Sequence, residues 1–352
     1  MRRSLYVVLL SIFSFLYMVP GFSQDRLFTQ AFAHPSDLNP AYAGAIEGRY
    51  RVSLAYRDQW RSIVESPFTT IGLFGDVKIT LENQEDDFFG AGFAVTADRT
   101  AILNVDQNSL YIYGSYHKSL NDNNREYLSG GLYLGISQRN VNYENIYFND
   151  QFNGLNEYIL PTAEDLPANN FAFADVGLGV AYSTYLSRYS NLTCGLSVDH
   201  VPGSSISFYA HSLELDEPLP DAHIDRKFTA LLSMELASDE YVSVLPRILW
   251  QQQGAHKMLS TAALVKFDIS NYNTQALHLG GGLRMNQTQS EGFKPSAVYL
   301  MTAFETNGLL IGLSHDISLG GLGSVNPGSG AFELSISFTG FYENEENMCP
   351  TF

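Results

Sequence analysis

The sequence predicts an all-β fold, a transmembrane antiparallel β-barrel of about fourteen strands of the outer-membrane type. Three observations predict it. Apolar residues alternate with small or weakly polar ones along many short segments, the non-apolar face carries few charges, and the segments are joined by connections sorted by parity into short and long.

The first element is an export signal. Arg2 and Arg3 precede an apolar run from Leu5 to Val19, and Gly21-Phe22-Ser23 supplies a small-x-small cleavage site. Pro20 and Gly21 end the run too early for a spanning helix, and no later run is long enough for one. Residues 1–23 are therefore expected to be a signal peptide. Losing Arg2 and Arg3 takes the formal charge from -17 to -19. A chain this acidic does not hold nucleic acid by charge.

Residues 24–48 form the second element, an N-terminal periplasmic segment that could fold into the barrel mouth as a plug. Within it Asn39 can cap a single helical turn, Pro40 suits the first helical position, and Gly44 suits a left-handed end, with Tyr42 between them. These four residues are expected to shape the periplasmic mouth.

The barrel is expected over residues 49–339. Its first strand points Val52, Leu54 and Tyr56 to one face and Arg51, Ser53, Ala55 and Arg57 to the other. Tyr56, Arg57, Gln59 and Trp60 would reach the outer rim, as candidate partner contacts, with Arg57 facing the lumen and needing a carboxylate. Later strands repeat the scheme. LSGGLYLGISQ opposes Leu128, Leu132, Leu134 and Ile136 to Ser129, Gly131, Tyr133, Gly135 and Ser137. DVGLGVAYS and NLTCGLSVD do the same. A soluble sandwich would carry Lys, Glu and Arg on its outward face. Here the second face is mostly Gly, Ser, Ala and Thr, which suits a crowded lumen inside a lipid-facing wall. In lipid every backbone N–H and C=O must be paired, so such a chain has to close.

Strands are expected to begin near Tyr50, Phe68, Phe88, Val105, Tyr127, Ala172, Asn191, Lys227, Tyr241, Met258, Gln275, Ala297, Leu309 and Ala331. Alternate connections are short (NDNNRE, LSRYSN, ASDE, SNYN, ETNG), and the intervening ones are often longer, as from Arg139 to Phe171 and from Asp199 to Arg226. Short periplasmic turns and long outer loops are the outer-membrane pattern. Residues 340–352 remain as a short periplasmic tail, too small to fold alone.

Chemistry-bearing residues are few. Asp199-His200 and His315-Asp316 fall at outer strand ends, where a general base could act, but adjacent pairs arise readily among eight His and many acids. No Gly-x-Ser-x-Gly elbow and no His-Glu-x-x-His motif is present. The loop holding His211, Glu214, Asp216, Glu217, Asp221, His223 and Asp225 is dense in oxygen ligands for calcium, yet follows no calcium-loop spacing; a solvated acidic loop is expected. Cys194 should face lipid in mid-strand, and Cys349 lies in the tail, so no bridge between them is expected. No catalytic, cofactor-binding or metal site is assigned, and the chain is not expected to be an enzyme.

Several motifs together resemble the PorP/SprF family. They are LNPAYAG (Leu38–Gly44), YRDQW (Tyr56–Trp60), PFTT (Pro67–Thr70) with Asp76, GLSHDISLGGLG followed by FELSISF, and the terminal MCPTF. The resemblance runs from about Gln24 to Phe352, departing at His315, where Tyr is expected, and at Thr351, where a basic residue is common. It implies a non-enzymatic outer-membrane component of a type IX secretion or gliding system, supporting secretion or attachment of a large surface protein such as an adhesin. The implied partners are other components of that system, a secreted protein, outer-membrane lipid, and a periplasmic protein at the N-terminal segment or tail. The competing function is a channel for hydrophobic or small solutes, because fold does not fix function.

Overall fold

The computed structural model describes residues 25–340, apart from 65, 82–83, 101–104, 122–123, 144–145, 188–189, 211–221, 238–240, 271–274, 288–291 and 320–328. Cys349 and the rest of the tail, the signal segment, and most of the acidic loop from His211 to Asp221 lie outside the described residues.

Fourteen strands run in chain order: β1 Tyr50–Gln59, β2 Phe68–Leu81, β3 Gln84–Thr100, β4 Val105–Ser119, β5 Glu126–Val141, β6 Asn170–Tyr185 and β7 Asn191–Asp199. There follow β8 Lys227–Ala237, β9 Val242–Gln253, β10 His256–Ser270, β11 Gln275–Gln287, β12 Lys294–Thr306, β13 Leu309–Ser318 and β14 Gly330–Gly340. Each pairs antiparallel with its sequence neighbours, and β1 pairs β14 from Tyr50↔Gly340 to Gln59↔Ala331, so the sheet closes into a barrel. With 9 to 17 residues each, the strands are long enough to cross a hydrocarbon layer when tilted. The fold class expected from the sequence is the one found.

Alternation decides which side chains meet lipid. On β5, Leu134 is 59% and Ile136 54% exposed, whereas Tyr133 and Ser137 point inward and are buried. An aqueous surface would not present such an unbroken apolar band, so this face is the lipid face. Cys194 lies on it, half-buried between Leu192 and Leu196, and is a free thiol.

The connections make the two ends unlike. At one end β12 and β13 are joined by Asn307-Gly308, and β6 and β7 are five residues apart; at the other, 28 residues separate β5 from β6 and 27 separate β7 from β8. Two connections on the long-loop side depart from that pattern: β3 and β4 are separated by four residues, and β9 and β10 are joined only by Gly254-Ala255, with Gly254 at φ +53°. Pro246 sits inside β9, and there the β8–β9 ladder lapses between Ser233↔Arg247 and Leu236↔Val244. A proline has no N–H to give, which is why it interrupts a ladder.

Candidate functional site: the plugged lumen

Asp25–Gly48 lies inside the barrel. The segment starts at the long-loop end, where the Asp25 amide donates to Gln253 Oε1 (3.0 Å), and descends to the start of β1 at the short-turn end. The expected mouth segment therefore occupies the length of the lumen. Three 3-10 turns shape it: Ala31–Ala33, Pro35–Asp37 and Pro40–Tyr42.

The lowest turn follows from its residues. Asn39 has extended backbone and its Oδ1 accepts the Ala41 amide (2.9 Å), Pro40 takes the first helical position, and Gly44 has φ +72°. The same Asn39 donates through Nδ2 to the carbonyls of Val180 (3.0 Å) and Leu196 (3.2 Å) on β6 and β7, so one side chain caps the turn and fastens it to the wall. The wall yields space at glycines. A Cβ on Gly131 would collide with the Pro40 and Ala41 backbone, and one on Gly90 with the Ala43 carbonyl. That carbonyl accepts from Ser115 Oγ (2.7 Å) and lies 2.8 Å from His117 Nε2. The Gly44 amide donates to Asp76, which Arg51 holds through two nitrogens at 2.8 and 2.9 Å.

Toward the long-loop end the plug is held by charge. Glu333 on β14 is fully buried and accepts both the Thr29 amide (2.8 Å) and the Gln30 amide (2.7 Å). Arg57 reaches Glu333 at 3.0 Å and Asp316 at 2.9 Å, and Arg284 reaches Asp316 at 2.9 Å. Thr29 Oγ1 donates to Asp316 and accepts from both guanidiniums. Two arginines and two carboxylates thus close on each other and on the plug backbone, which is how buried charges persist. Below this network, toward the short-turn end, Phe28 and Phe74 pack around the His34 ring, which stacks on Phe74 at 4.1 Å.

At the long-loop end Asp25 meets Lys227 Nζ at 2.7 Å and His200 Nε2 at 2.8 Å, while His200 Nδ1 meets Asp175 at 2.8 Å. Burial opposes the charge on His200, but Asp25 and the hydrogen bonds to Asp175 and Asp25 prevail and raise its pKa from 6.5 to about 9. A raised pKa contributes stability that is complete below about 6.5 and fades as pH climbs through about 9. The groups facing His200 are Asp25, Asp175 and Lys227, with Asp199 held by Lys227 at 3.2 Å. The wild-type barrel is expected to lose more thermal stability between pH 7 and pH 10 than a His200→Gln variant, followed by the heat-modifiable gel shift; parallel curves would refute the assignment.

The residues singled out from the sequence divide in three. Asn39, Pro40, Tyr42 and Gly44 are in the plug, all buried. Arg57, Gln59 and Trp60 line a cavity of about 710 Å³ at the long-loop mouth, together with Arg26, Arg139 and Arg284. Trp60 follows β1 at φ +63° and packs edge-on to Phe68 (5.0 Å). Tyr56 is on the outer face instead, donating to Asp58 (3.2 Å). Arg57 itself is consumed by the buried ion network. Sequence reading missed Glu333, Arg284 and His117, although each is a charged or titratable side chain on the small-residue face of a strand, and that was the available signal.

The His-Asp pairs do not work together. His315 is exposed on the lipid face while Asp316 is buried in the lumen, as neighbours on a strand must be. Asp199 pairs with Lys227, and its neighbour His200 with Asp25 and Asp175. Among the described residues no group of three or more His, Cys, Asp or Glu is placed to hold a metal ion. A second cavity of about 290 Å³ lies toward the short-turn end, between the plug and β8–β14, lined in part by Phe32, Leu245, Arg247 and Met301.

Solved structures share the architecture. The CymD monoaromatic hydrocarbon channel aligns over 91% of this chain and 95% of its own, with TM-score 0.51 and 7% identity. A FadL homologue of Pseudomonas aeruginosa aligns over 91% and 99%, with TM-score 0.48 and 12% identity. At such identities the likeness concerns the fold alone. No curated protein sequence matches the chain. The family model for "Type IX secretion system membrane protein PorP/SprF" matches residues 21–338, taking in the plug, its seat and nearly the whole barrel. The fourteen-stranded barrel therefore belongs to the PorP/SprF family of type IX secretion system membrane proteins.

Proposed function

We propose that this barrel is a non-enzymatic component of the type IX secretion apparatus that supports export or surface retention of a large partner protein, such as an adhesin. The observation that carries this reading is the seat of the plug. A lumen whose wall is cut back to glycine beneath Pro40 and Ala43, and whose buried charges are spent on Thr29 and Gln30, is organised to stay filled. A filled barrel serves as a platform with a surface on each side of the membrane. The short-turn end, carrying the tail after Gly340, faces the periplasm in this reading, and the long loops face outward after cleavage of the signal peptide.

The channel reading keeps one supporting observation, the 710 Å³ cavity at the long-loop mouth. Deleting the gene separates the two. Under the proposed function one or a few large surface proteins accumulate in the envelope while small-solute uptake stays normal. Unchanged surface proteins with reduced uptake of a hydrophobic nutrient would establish the channel.

A further inference from the structure

The connection between β5 and β6 is not a slack loop. Phe152 and Tyr158 form a β-bridge, the Asn153 amide donates to the Glu157 carbonyl (2.9 Å), and the Leu160 amide to the Gln151 carbonyl (3.0 Å). The Asn153 side chain accepts the amides of Leu155, Asn156 and Glu157. Asp150 accepts Thr162 Oγ1 (3.0 Å) and the Ala163 amide (2.6 Å), closing the base. A small hairpin thus stands off the barrel with its backbone fixed by its own hydrogen bonds.

Its side chains point the wrong way for a free surface. Leu155 is 83%, Ile159 69% and Tyr147 64% exposed, and Phe152, Tyr158 and Leu160 are exposed beside them. Tyr147, Phe152 and Tyr158 pack ring against ring at 5.2 and 5.7 Å, so the patch is preformed. Apolar groups gathered on an ordered, water-facing loop mark an interaction site, and a prepaid conformation lowers the cost of binding. The charge carried by the segment itself is of one sign. Residues 142–169 contain five acidic side chains and no Lys, Arg or His. A segment that lies on lipid headgroups needs the opposite sign, since interfacial anchoring draws on Lys and Arg.

We infer that the Tyr147–Leu160 hairpin is the docking surface for a secreted protein partner whose contact face is apolar and rimmed by lysine or arginine. The inference rests on the secretion reading above and locates where on the barrel it operates. Leu155 and Ile159 enter apolar hollows on the partner, and Glu157 and Glu164, both exposed, face its basic rim.

The test uses the full-length protein in its own outer membrane. A benzophenone amino acid is placed at Leu155 or Ile159, with Leu120, exposed beside the opposite end of β4, as control. Illumination of intact cells should join positions 155 and 159, and not 120, to one secreted protein, and the joined peptide should carry basic residues. A Leu155→Ser/Ile159→Ser chain that keeps its heat-modifiable shift should display that protein roughly tenfold less or worse. A Glu157→Lys/Glu164→Lys chain should reduce display as well. Full display by the Leu155→Ser/Ile159→Ser chain, where gene deletion abolishes display, would overturn the docking surface and leave the secretion role standing. Adducts only with lipid, or only with a second copy of this chain, would also overturn it. A deletion that changes no surface protein would instead remove the secretion role itself.

Discussion

Glu333→Ala should cost the folded barrel about 3–5 kcal/mol, the range for breaking a buried ion pair from one side. Glu333 has no exposed surface, and its carboxylate is the acceptor for the amides of Thr29 and Gln30 and for Arg57. Alanine would strand two backbone N–H groups of the plug and leave Arg57 with Asp316 as the one carboxylate it reaches, which Arg284 already engages. The loss is therefore larger than the worth of the pair in the intact protein, because the unpaired donors keep their burial without a partner. Urea midpoints of the heat-modifiable gel shift measure it. The paired change Arg57→Met/Glu333→Met should recover part of the loss, since removing both charges deletes the desolvation cost along with the bond. If Glu333→Ala unfolds within about 1 kcal/mol of the wild type, water reaches the carboxylate and the plug is not held there.

The strands were legible because their signal is local. Onsets read from alternation fall on β1, β2, β4, β7, β8, β11 and β13 to the residue, and β3 and β12 start only a few residues before the Phe88 and Ala297 expected. Those two begin in Gln84-Glu85-Asp86 and Lys294-Pro295, where polar residues or proline hide the period. Pro246 was hidden in the opposite sense, since its neighbours continue the pattern while it breaks the ladder.

The site was legible in halves. Asn39, Pro40 and Gly44 spell out a capped turn, and the inward parity of Arg57 calls for a carboxylate. What no local pattern carries is the partner. Thr29 and Glu333 meet across 304 residues, and Asn39 meets Val180 across 141. Whether a polar segment lies outside a barrel or through it depends on whether the wall has room, and that resides in Gly90, Gly131 and Gly179, each from a different strand. A glycine on a small-residue face looks the same whether it lines water or seats a plug.

That seat supplies the second large effect. The intact protein should show little steady conductance in planar bilayers, whereas Gly90→Val/Gly131→Val should open large, stable channels. Neither glycine has a positive φ, and valine suits a strand, so on the wall side only the Ser115 hydroxyl beside Gly90 has to turn aside. The plug does not, because each new Cβ would fall on its backbone at Ala43 or Pro40, where no side chain can swing aside. Displacement of Asn39–Ala43 would also forfeit the bonds to Val180, Leu196 and Ser115. Gly114 provides the control, since a Cβ there meets nothing within 4 Å, and Gly114→Val should remain closed. Two results would defeat the plugged platform. Stable open channels in the intact protein would mean that the segment leaves the lumen unaided. A folded Gly90→Val/Gly131→Val barrel as silent as the wild type would mean that something other than the Asn39–Ala43 turn closes the lumen.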